Sequence, residues 1–186
     1  MAQNLNQVDW SKIPAPDDDG SAAHLEGMTL PNVALAVSKG GMVDLGALQG
    51  CVVLYIYPRT GRPDQDLPKG WDMIPGARGC TPQSCAFRDH FTELQALGVD
   101  HLYGLSTQDT DYQAEAAHRM HLPFALLSDL DLTFADALSL PRFETDGMTL
   151  LNRMTLIARE GAIEKVFYPV FPPDQNAQDV ADYLRA

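Results

Sequence analysis

Apolar runs separated by turn-forming residues predict strands and helices that alternate along most of the chain. The longest run, residues 51–57 (Cys-Val-Val-Leu-Tyr-Ile-Tyr), is rich in β-branched and aromatic side chains. It predicts a strand that is buried on both faces. After Cys80, the apolar residues Phe87, Phe91 and Leu94 recur at helical spacing and predict a helix with one buried face.

The same pattern predicts the remaining elements. In chain order these are a β-hairpin over 30–48, the strand 51–57, a helix over 80–97, a strand over 101–106, a helix from 110 to about 120, a strand over 124–127, a helix over 132–138, strands over 148–159 and 162–168, and a last helix that ends at 184. This order predicts an α/β fold, a three-layer α/β/α arrangement around a central mixed β-sheet with an N-terminal β-hairpin.

Two stretches lack this periodicity. Residues 1–27 are rich in proline and aspartate, and we expect an irregular N-terminal arm there, before a single domain over 28–186. Residues 59–78 contain several prolines and glycines and predict a long loop inserted in that domain. Loops of this length are uncommon in compact domains and tend to be functional, and we expect this one to pack near Cys80.

The composition narrows the classes of function. The 186 residues carry a formal net charge of −12, which argues against nucleic acid and anionic membrane surfaces as partners. No apolar run approaches the length of a membrane span, and the polar N-terminus shows no targeting segment, so we expect a cytoplasmic protein. Three cysteines are too few for a disulfide-stapled secreted domain. In a reducing compartment, a cysteine pair favours a catalytic or metal-binding role over a structural one.

Two of the three cysteines, Cys80 and Cys85, lie where the predicted helix begins. We expect Thr81 to be the N-cap of this helix and Pro82 its first residue. Cys80 would then lie among unpaired N–H groups at the positive end of the helix dipole. That position favours the thiolate, which is the reactive form of cysteine. Cys51 is interpreted as a core residue of the buried strand.

The spacing of Cys80 and Cys85 predicts a conformational switch. On a regular α-helix, five residues correspond to about 7.5 Å of rise and roughly 140° of rotation, so the two Cα atoms are about 8.7 Å apart. A disulfide spans at most about 7 Å between Cα atoms, so a bond between them requires the first helical turn to unwind. We favour a helical dithiol that converts to a locally unwound disulfide. The alternative is two unrelated cysteines near a helix start.

Other cysteine chemistry fits the sequence poorly. The five histidines form no zinc-binding pattern with the cysteines, and Cys80, Cys85 and His90 lack the short spacing of structural zinc sites. We therefore expect no metal and no cofactor. The absence of a Cys-x-x-Cys motif argues against a disulfide oxidoreductase of the thioredoxin type. Arg78, next to Cys80, is either an aid to thiolate formation or a surface residue.

Several short segments occur together in the order found in one known family. In chain order they are Tyr57 and Pro58; Gly79, Cys80 and Thr81; Cys85; Phe87, Arg88 and Asp89; residues 104–107; residues 126–129; and Arg153 at the head of a strand segment. On these residues the chain resembles a peroxiredoxin over 28–184, and it is most similar to the Q-type, or bacterioferritin comigratory protein, subgroup. The sequence motif around the two cysteines is specific to this family, and its combination with the later segments argues against a chance similarity.

The resemblance implies a thioredoxin-like fold and the activity of a thiol-dependent peroxidase. Cys80 is then the peroxidatic cysteine, which attacks hydrogen peroxide or an organic hydroperoxide and becomes a sulfenic acid. Cys85 is the resolving cysteine, which forms an intramolecular disulfide with Cys80. Arg153 stabilises the thiolate and the peroxide. Thioredoxin or a glutaredoxin-like dithiol protein reduces the disulfide. A monomer is expected, with a dimer as the alternative, because the resolving cysteine lies in the same chain.

The active-site loop departs from the family's pattern. The family places Pro seven and Thr three positions before the peroxidatic cysteine, where this chain has Met73 and Ala77. Pro58 lies 22 positions before Cys80, so about fifteen residues are inserted. This departure leaves the peroxide without its usual threonine hydroxyl.

Two functions stay open as a result. Pro58, Thr60 and Thr81 are the candidates for substrate binding, and Thr60 or Thr81 would restore the hydroxyl if the loop folds back. The leading function is then a thiol peroxidase. If neither threonine does so, the alternative is a redox sensor that keeps the disulfide switch but turns over poorly.

Overall fold

A seven-stranded mixed sheet runs through the middle of the molecule. The computed structural model describes residues 8–186, and the predictions for residues 1–7 lie outside them. The strands are β1 (Ala34–Val37), β2 (Met42–Asp44), β3 (Cys51–Ile56), β4 (His101–Ser106), β5 (Leu126–Ser128), β6 (Arg142–Thr145), β7 (Met148–Leu151), β8 (Met154–Arg159) and β9 (Ala162–Phe167). The helices are α1 (Cys80–Asp89), α2 (Phe91–Ala96), α3 (Thr110–Arg119), α4 (Thr133–Leu138) and α5 (Asn176–Arg185).

The central sheet has the strand order β2-β1-β5-β4-β3-β8-β9. Strand β4 runs parallel to β3 and to β5, and the other neighbours are antiparallel. Gly40 and Gly41, both at positive φ, close the first hairpin, and Glu160 and Gly161 close the last one. Both hairpin predictions are confirmed. Strands β6 and β7 form a separate two-stranded sheet, and no apolar run in the sequence predicts β6.

Helices cover both faces of the central sheet and make three layers. All six residues of β3 are buried, and they alternate between two cores. Val52 and Leu54 lie in the core that includes the buried residues of α4. Cys51 and Val53 lie in the core that includes those of α1, α2, α3 and α5. The predicted α/β/α fold and the core position of Cys51 are confirmed.

The helix predicted over 80–97 is divided at His90. The backbone of His90 (φ −93°, ψ 1°) leaves the α-helical region, and α1 ends there while α2 begins. The His90 ring nitrogen Nδ1 lies 2.9 Å from the carbonyl oxygen of Ala86, which the backbone N–H of His90 also contacts. Such local side-chain bonds compete with the regular helical pattern.

The strand predicted over 148–159 is also divided, between β7 and β8. The N–H of Asn152 donates to the carbonyl oxygen of Pro141 at 2.9 Å, outside the central sheet. Arg153 follows, and its guanidinium donates to carbonyl oxygens of the loop 59–78. This break in the strand therefore places Arg153 beside that loop.

The loop 59–78 and the N-terminal arm pack on the domain with little regular structure. The loop contains one 3-10 turn, Trp71–Met73, and the Trp71 side chain is buried. The described part of the arm contains one 3-10 turn, Trp10–Lys12. Leu25 already lies in the core, and the domain boundary at residue 27 stays a prediction. Within residues 8–186, no helix combines the length and hydropathy that crossing a membrane needs.

Candidate active site

Helix α1 begins at Cys80, and its N-cap is Gly79. Gly79 has φ +110°, and a Cβ atom there would lie 2.6 Å from Pro173 Cγ and 2.7 Å from Trp10 Cη2. Both the backbone and the available space therefore require glycine. The prediction that Thr81 is the N-cap is wrong, because the helix begins two residues earlier, after the left-handed Gly79. Thr81 is the buried second residue of α1, and the proline after it is the third.

The thiol of Cys80 is buried and lies against Arg153. Cys80 is 3% exposed, and its Sγ lies 3.2 Å from Nη2 of Arg153 and 3.7 Å from the carbonyl oxygen of Ala77. The three cysteines are thiols in this structure. The fold thus brings together two predicted site residues that are 73 positions apart in the chain.

The guanidinium of Arg153 is buried without a carboxylate partner. Its Nη2 donates to three successive carbonyl oxygens, those of residues 76–78, at 3.0–3.2 Å, and its Nη1 donates to Oε1 of Gln83 at 2.5 Å. No Asp or Glu among residues 8–186 pairs with it, and its Nε has no hydrogen-bond partner there. A buried charge without a counter-charge is costly. Among these contacts, the Cys80 sulfur is the group that can carry a negative charge.

A chain of buried hydrogen bonds continues from Arg153 into the last helix. Nε2 of Gln83 donates to Oδ1 of Asn176 at 3.0 Å, and Oγ1 of Thr155 donates to the same oxygen at 2.6 Å. All three side chains are fully buried. These bonds orient the Gln83 amide so that its oxygen is directed at Arg153. The sequence analysis did not predict this network. The one feature that could have indicated it is the spacing of Gln83, which follows Cys80 by three residues and so lies on a neighbouring part of the helix surface.

Aromatic side chains hold the middle of α1 against the sheet. Tyr55 stacks on Phe87 with 4.6 Å between ring centroids, and its hydroxyl donates to Oγ of Ser84 at 3.0 Å. Burial raises the pKa of the Tyr55 and Tyr57 hydroxyls, so both stay protonated at neutral pH. Ser84 lies between the two cysteines of α1, so this contact anchors the segment that a disulfide would have to distort.

Cys85 lies in the same helix as Cys80, and helical geometry keeps the two thiols apart. Their Cα atoms are about 8.7 Å apart on a regular helix, beyond the reach of a disulfide. Burial raises the pKa of the half-buried Cys85 thiol, and nearby Arg88 partly offsets this. The N–H of Gln83 donates to the Gly79 carbonyl oxygen at 3.0 Å, and this bond in the first turn lies in the segment that has to unwind.

The other candidate residues have partners of their own. Pro58 is buried, two residues after the end of β3. The hydroxyl of Thr60 donates to Oε1 of Gln108 at 3.2 Å, so this donor is already in use. Arg78 forms a 3.0 Å salt bridge within the loop. The roles of Pro58, Thr60 and Thr81 in substrate binding stay predictions. Among residues 8–186, no three His, Cys, Asp or Glu side chains are arranged to hold a metal ion.

A cavity of about 30 Å³ lies beside Arg153. Its walls include Pro16 from the arm, Gly76 from the loop and Tyr168 after β9. A Cβ atom at Gly76 would lie 3.6 Å from Pro16, so the arm packs closely on the loop here. A cavity needs at least about 10–15 Å³ to hold one water molecule, so this one has room for a molecule the size of one or two waters.

The model of the family described as Redoxin matches residues 25–184. This chain belongs to the Redoxin family. The thioredoxin-like fold that the sequence predicted is thereby confirmed.

Its relatives include peroxiredoxins of the Q type. The chain is 29% identical to the putative peroxiredoxin bcp of Coxiella burnetii in an alignment of 163 positions that covers 85% of this chain and 97% of that one. It is 28% identical to the chloroplastic peroxiredoxin Q of Oryza sativa subsp. japonica, over 87% of this chain and 67% of that one. The crystal structure of peroxidoxin BcpB from Mycobacterium tuberculosis matches with a TM-score of 0.67 at 25% identity, over 86% and 96% of the two chains. The predicted resemblance to Q-type peroxiredoxins is confirmed, and these relatives indicate thiol peroxidase activity.

Proposed function

We propose that this peroxiredoxin reduces hydroperoxides through Cys80, with Cys85 as the resolving cysteine. The observation that carries the proposal is the 3.2 Å contact between Nη2 of Arg153 and the Cys80 sulfur, at a guanidinium without a carboxylate partner. A cation at this distance stabilises negative charge on sulfur, and the thiolate is the nucleophile. The Nε–H of Arg153, which has no partner within residues 8–186, is available to a peroxide oxygen.

The proposed reaction has three steps. The Cys80 thiolate attacks one oxygen of the O–O bond and becomes a sulfenic acid, while the other oxygen takes up a proton and leaves as water or an alcohol. The first turn of α1 then unwinds, and the Cys85 thiol condenses with the sulfenic acid to form a disulfide and water. Finally, thioredoxin or a glutaredoxin-like dithiol protein reduces the disulfide to two thiols and is itself oxidised.

We further propose that hydrogen peroxide is the preferred substrate. The cavity beside Arg153 has a volume of about 30 Å³, which suits a molecule of two heavy atoms. An organic hydroperoxide needs more room, and Pro16 and Gly76 are the walls whose movement would supply it. The arm and the loop would thus control which hydroperoxides react.

We also propose that the protein acts as a monomer in a reducing compartment such as the cytoplasm. Both cysteines of the proposed cycle lie in α1 of one chain, so resolution needs no second copy. Thioredoxin-like dithiols keep thiols reduced in such a compartment, and there they would complete the cycle.

Two observations favour a second candidate, a redox switch protein with poor turnover. Ala77 stands where the family has its threonine, and the Thr60 hydroxyl donates to Gln108. Without a hydroxyl to position the peroxide, the first step would be slow. The cysteine pair would then record oxidation without repeated catalysis.

Stopped-flow mixing of the reduced protein with one equivalent of hydrogen peroxide tests both candidates. By mass, the wild type is expected to lose two hydrogens and Cys80→Ser none, while Cys85→Ser gains one oxygen. Cys51→Ala is the matched control and is expected to react like the wild type. Steady turnover in a thioredoxin-coupled assay supports the peroxidase, whereas one stoichiometric oxidation without turnover supports the switch. Oxidation that persists in Cys80→Ser contradicts both.

A further inference from the structure

A second cavity, of about 430 Å³, lies at the carboxyl ends of the parallel strands β3, β4 and β5. A residue that follows each strand lines it: Arg59 after β3, Thr107 after β4 and Leu130 after β5. Small-molecule sites typically measure about 300–1,000 Å³, and open α/β sheets bind ligands at this edge. The proposed peroxidase steps use none of these three residues.

Arg59 is the positively charged residue of this cavity wall, and not all of its N–H donors have an acceptor. Its Nη1 donates to the sulfur of Met148 at 3.2 Å and its Nη2 to the hydroxyl of Tyr112 at 3.4 Å. A thioether is a weak acceptor, and the second bond is long. Its Nε is buried without a partner, and no carboxylate of residues 8–186 pairs with it. Because arginine carries five N–H donors, several remain open to a ligand.

Neighbouring polar side chains are already occupied. Gln108 exchanges hydrogen bonds with Thr60, accepting from its N–H at 2.9 Å and donating to its carbonyl oxygen at 3.2 Å. The hydroxyl of Tyr112 donates to the same carbonyl oxygen at 3.0 Å. Asp109 is the carboxylate of the wall; it is exposed and accepts from the N–H of Tyr112 at 2.7 Å as the cap of α3. The N–H donors that are still available to a ligand are therefore those of Arg59.

The surroundings of Arg59 are positive in a chain that is acidic overall. The guanidinium of Arg62 lies 4.4 Å from the centre of the Tyr112 ring. Arg62 and Arg119 share one carboxylate, that of Glu115. Three arginines thus lie near two carboxylates, those of Glu115 and of Asp109 in the cavity wall, although the whole chain carries a formal charge of −12. A local positive field of this kind attracts anions.

One part of the cavity wall is aliphatic. Leu130, Leu132, Met148 and Leu150 contribute to it. Leu130 is 61% exposed, so an aliphatic group that covers it would remove apolar surface from water. The cavity therefore combines one open cation with a wall that favours a hydrocarbon chain.

From this combination, we propose that the cavity binds a monocarboxylate with an aliphatic chain, a ligand of the fatty-acid type. The carboxylate accepts hydrogen bonds from Arg59, whose planar fork matches its two oxygens. The chain lies over Leu130 and its aliphatic neighbours. Inorganic phosphate satisfies Arg59 but leaves the aliphatic wall uncovered, and a neutral alcohol does the reverse.

Calorimetric titration of the reduced, full-length protein with octanoate tests the proposal. Saturable binding with a Kd of about 1 mM or tighter is expected. Both 1-octanol and inorganic phosphate are expected to bind at least roughly tenfold more weakly, because each lacks one of the two recognised parts. Absence of octanoate binding, or binding of octanol as tight as that of octanoate, overturns the proposal.

Three variants assign the binding to Arg59. Arg59→Gln is expected to weaken octanoate binding by roughly tenfold or more, because the charge-assisted bonds are lost. Arg62→Gln is the matched control from the same loop; it has a carboxylate partner already and is expected to change binding by less than about twofold. Leu130→Asp, at a mostly exposed position, sets a negative charge beside the ligand and is expected to weaken binding even if Arg59→Gln folds poorly.

Two results contradict the assignment to Arg59. One is a loss of binding in Arg62→Gln equal to that in Arg59→Gln, and the other is no loss in either Arg59→Gln or Leu130→Asp. No peroxide enters the experiment, so such a failure leaves the proposed function unaffected.

Discussion

Nη2 of Arg153 lies 3.2 Å from the sulfur of Cys80, and within residues 8–186 no carboxylate competes for this guanidinium. Replacing Arg153 with methionine removes the charge and keeps much of the volume. The rate of Cys80 oxidation by hydrogen peroxide is expected to fall by about a hundredfold or more, as for other losses of a positioned electrostatic donor. Stopped-flow tryptophan fluorescence on the Cys85→Ser background isolates this step.

Arg153→Lys is the companion variant. It keeps the charge but not the planar fork that spans the sulfur and Gln83, so an intermediate rate is expected. Far-UV circular dichroism of both variants controls for folding. If the methionine variant reacts at the wild-type rate, Arg153 has no role in the mechanism.

Tyr55→Phe tests whether unwinding of α1 limits disulfide formation. The Tyr55 hydroxyl donates to Ser84 in the segment between the cysteines, so its loss is expected to destabilise the helical dithiol by roughly 0.5–1.5 kcal/mol. The disulfide is then expected to form several-fold faster after the sulfenic acid, as measured by double-mixing stopped flow. Tyr103→Phe is the control, on the neighbouring strand β4. An unchanged rate in Tyr55→Phe argues that unwinding is not the slow event.

The thiols of the buried Cys51 and the half-buried Cys85 predict a loss of stability at alkaline pH. Burial raises the pKa of Cys51 and of Cys85. Each thiol keeps its proton in the native state at a pH where the unfolded chain has lost it. This contribution is therefore complete below the unfolded thiol pKa of about 8.5 and is lost as the pH rises through the native values.

Urea unfolding under reducing conditions measures this effect. The free energy of unfolding of the wild type is expected to decrease from about pH 8.5 upward. The double variant Cys51→Ala, Cys85→Ser is expected to show a smaller decrease over the same range. Equal slopes for the two proteins would show that other groups cause the alkaline loss.

The arm is expected to limit the size of the substrate. Pro16 forms part of the 30 Å³ cavity beside Arg153. Deleting residues 1–16 opens this wall, so kcat/KM for cumene hydroperoxide is expected to rise several-fold relative to that for hydrogen peroxide. Deletion of residues 1–7, which retains Pro16, serves as the control. A ratio that is the same in both deletions places the size limit elsewhere.

Gly79→Ala separates backbone strain from steric conflict at the start of α1. The new Cβ would meet Pro173 and Trp10 within 3 Å, at a residue with φ +110°. A loss of roughly 1–3 kcal/mol in the free energy of unfolding is expected from the strained backbone, with the clash adding to it. Gly98→Ala is the matched comparison, because Gly98 has φ +94° and no atom within 4 Å of the added Cβ. Equal losses in the two variants would exclude a contribution from the clash.

The sequence predicted the sheet and the cysteine helix because both leave strong apolar patterns. The run at 51–57 could hardly form anything but a buried strand, and the strands on either side of it follow from similar runs. By contrast, β6 (Arg142–Thr145) is half exposed and pairs with β7 outside the main sheet, so no periodicity marks it. The break at Asn152 is invisible for a related reason: it depends on a hydrogen bond to Pro141, a tertiary contact.

The sequence predicts those residues of the candidate site whose side chains are themselves reactive or charged. Cys80, Cys85 and Arg153 carry reactive or charged groups and stand in specific strings, so resemblance could identify them. Gln83 and Asn176 are common amides in helices, and nothing local shows that they are buried and joined. The sequence does not mark Gly79 as the cap, because a glycine cap has no side chain that could accept a hydrogen bond from the helix.

Gln83 stands between Cys80 and Cys85 in the chain, while its side chain holds Arg153 on one side and Asn176 on the other. If the turn that contains Gln83 has to unwind before the disulfide forms, oxidation also withdraws the amide from both neighbours. A chain that awaits its reductant would then have no assembled peroxide site. A chain with an assembled site would offer the reductant nothing to reduce. Within one molecule, reduction of peroxide and reduction of the disulfide would then exclude each other. The bond between Cys80 and Cys85 would set the order of the two reactions, whatever the relative concentrations of peroxide and reductant.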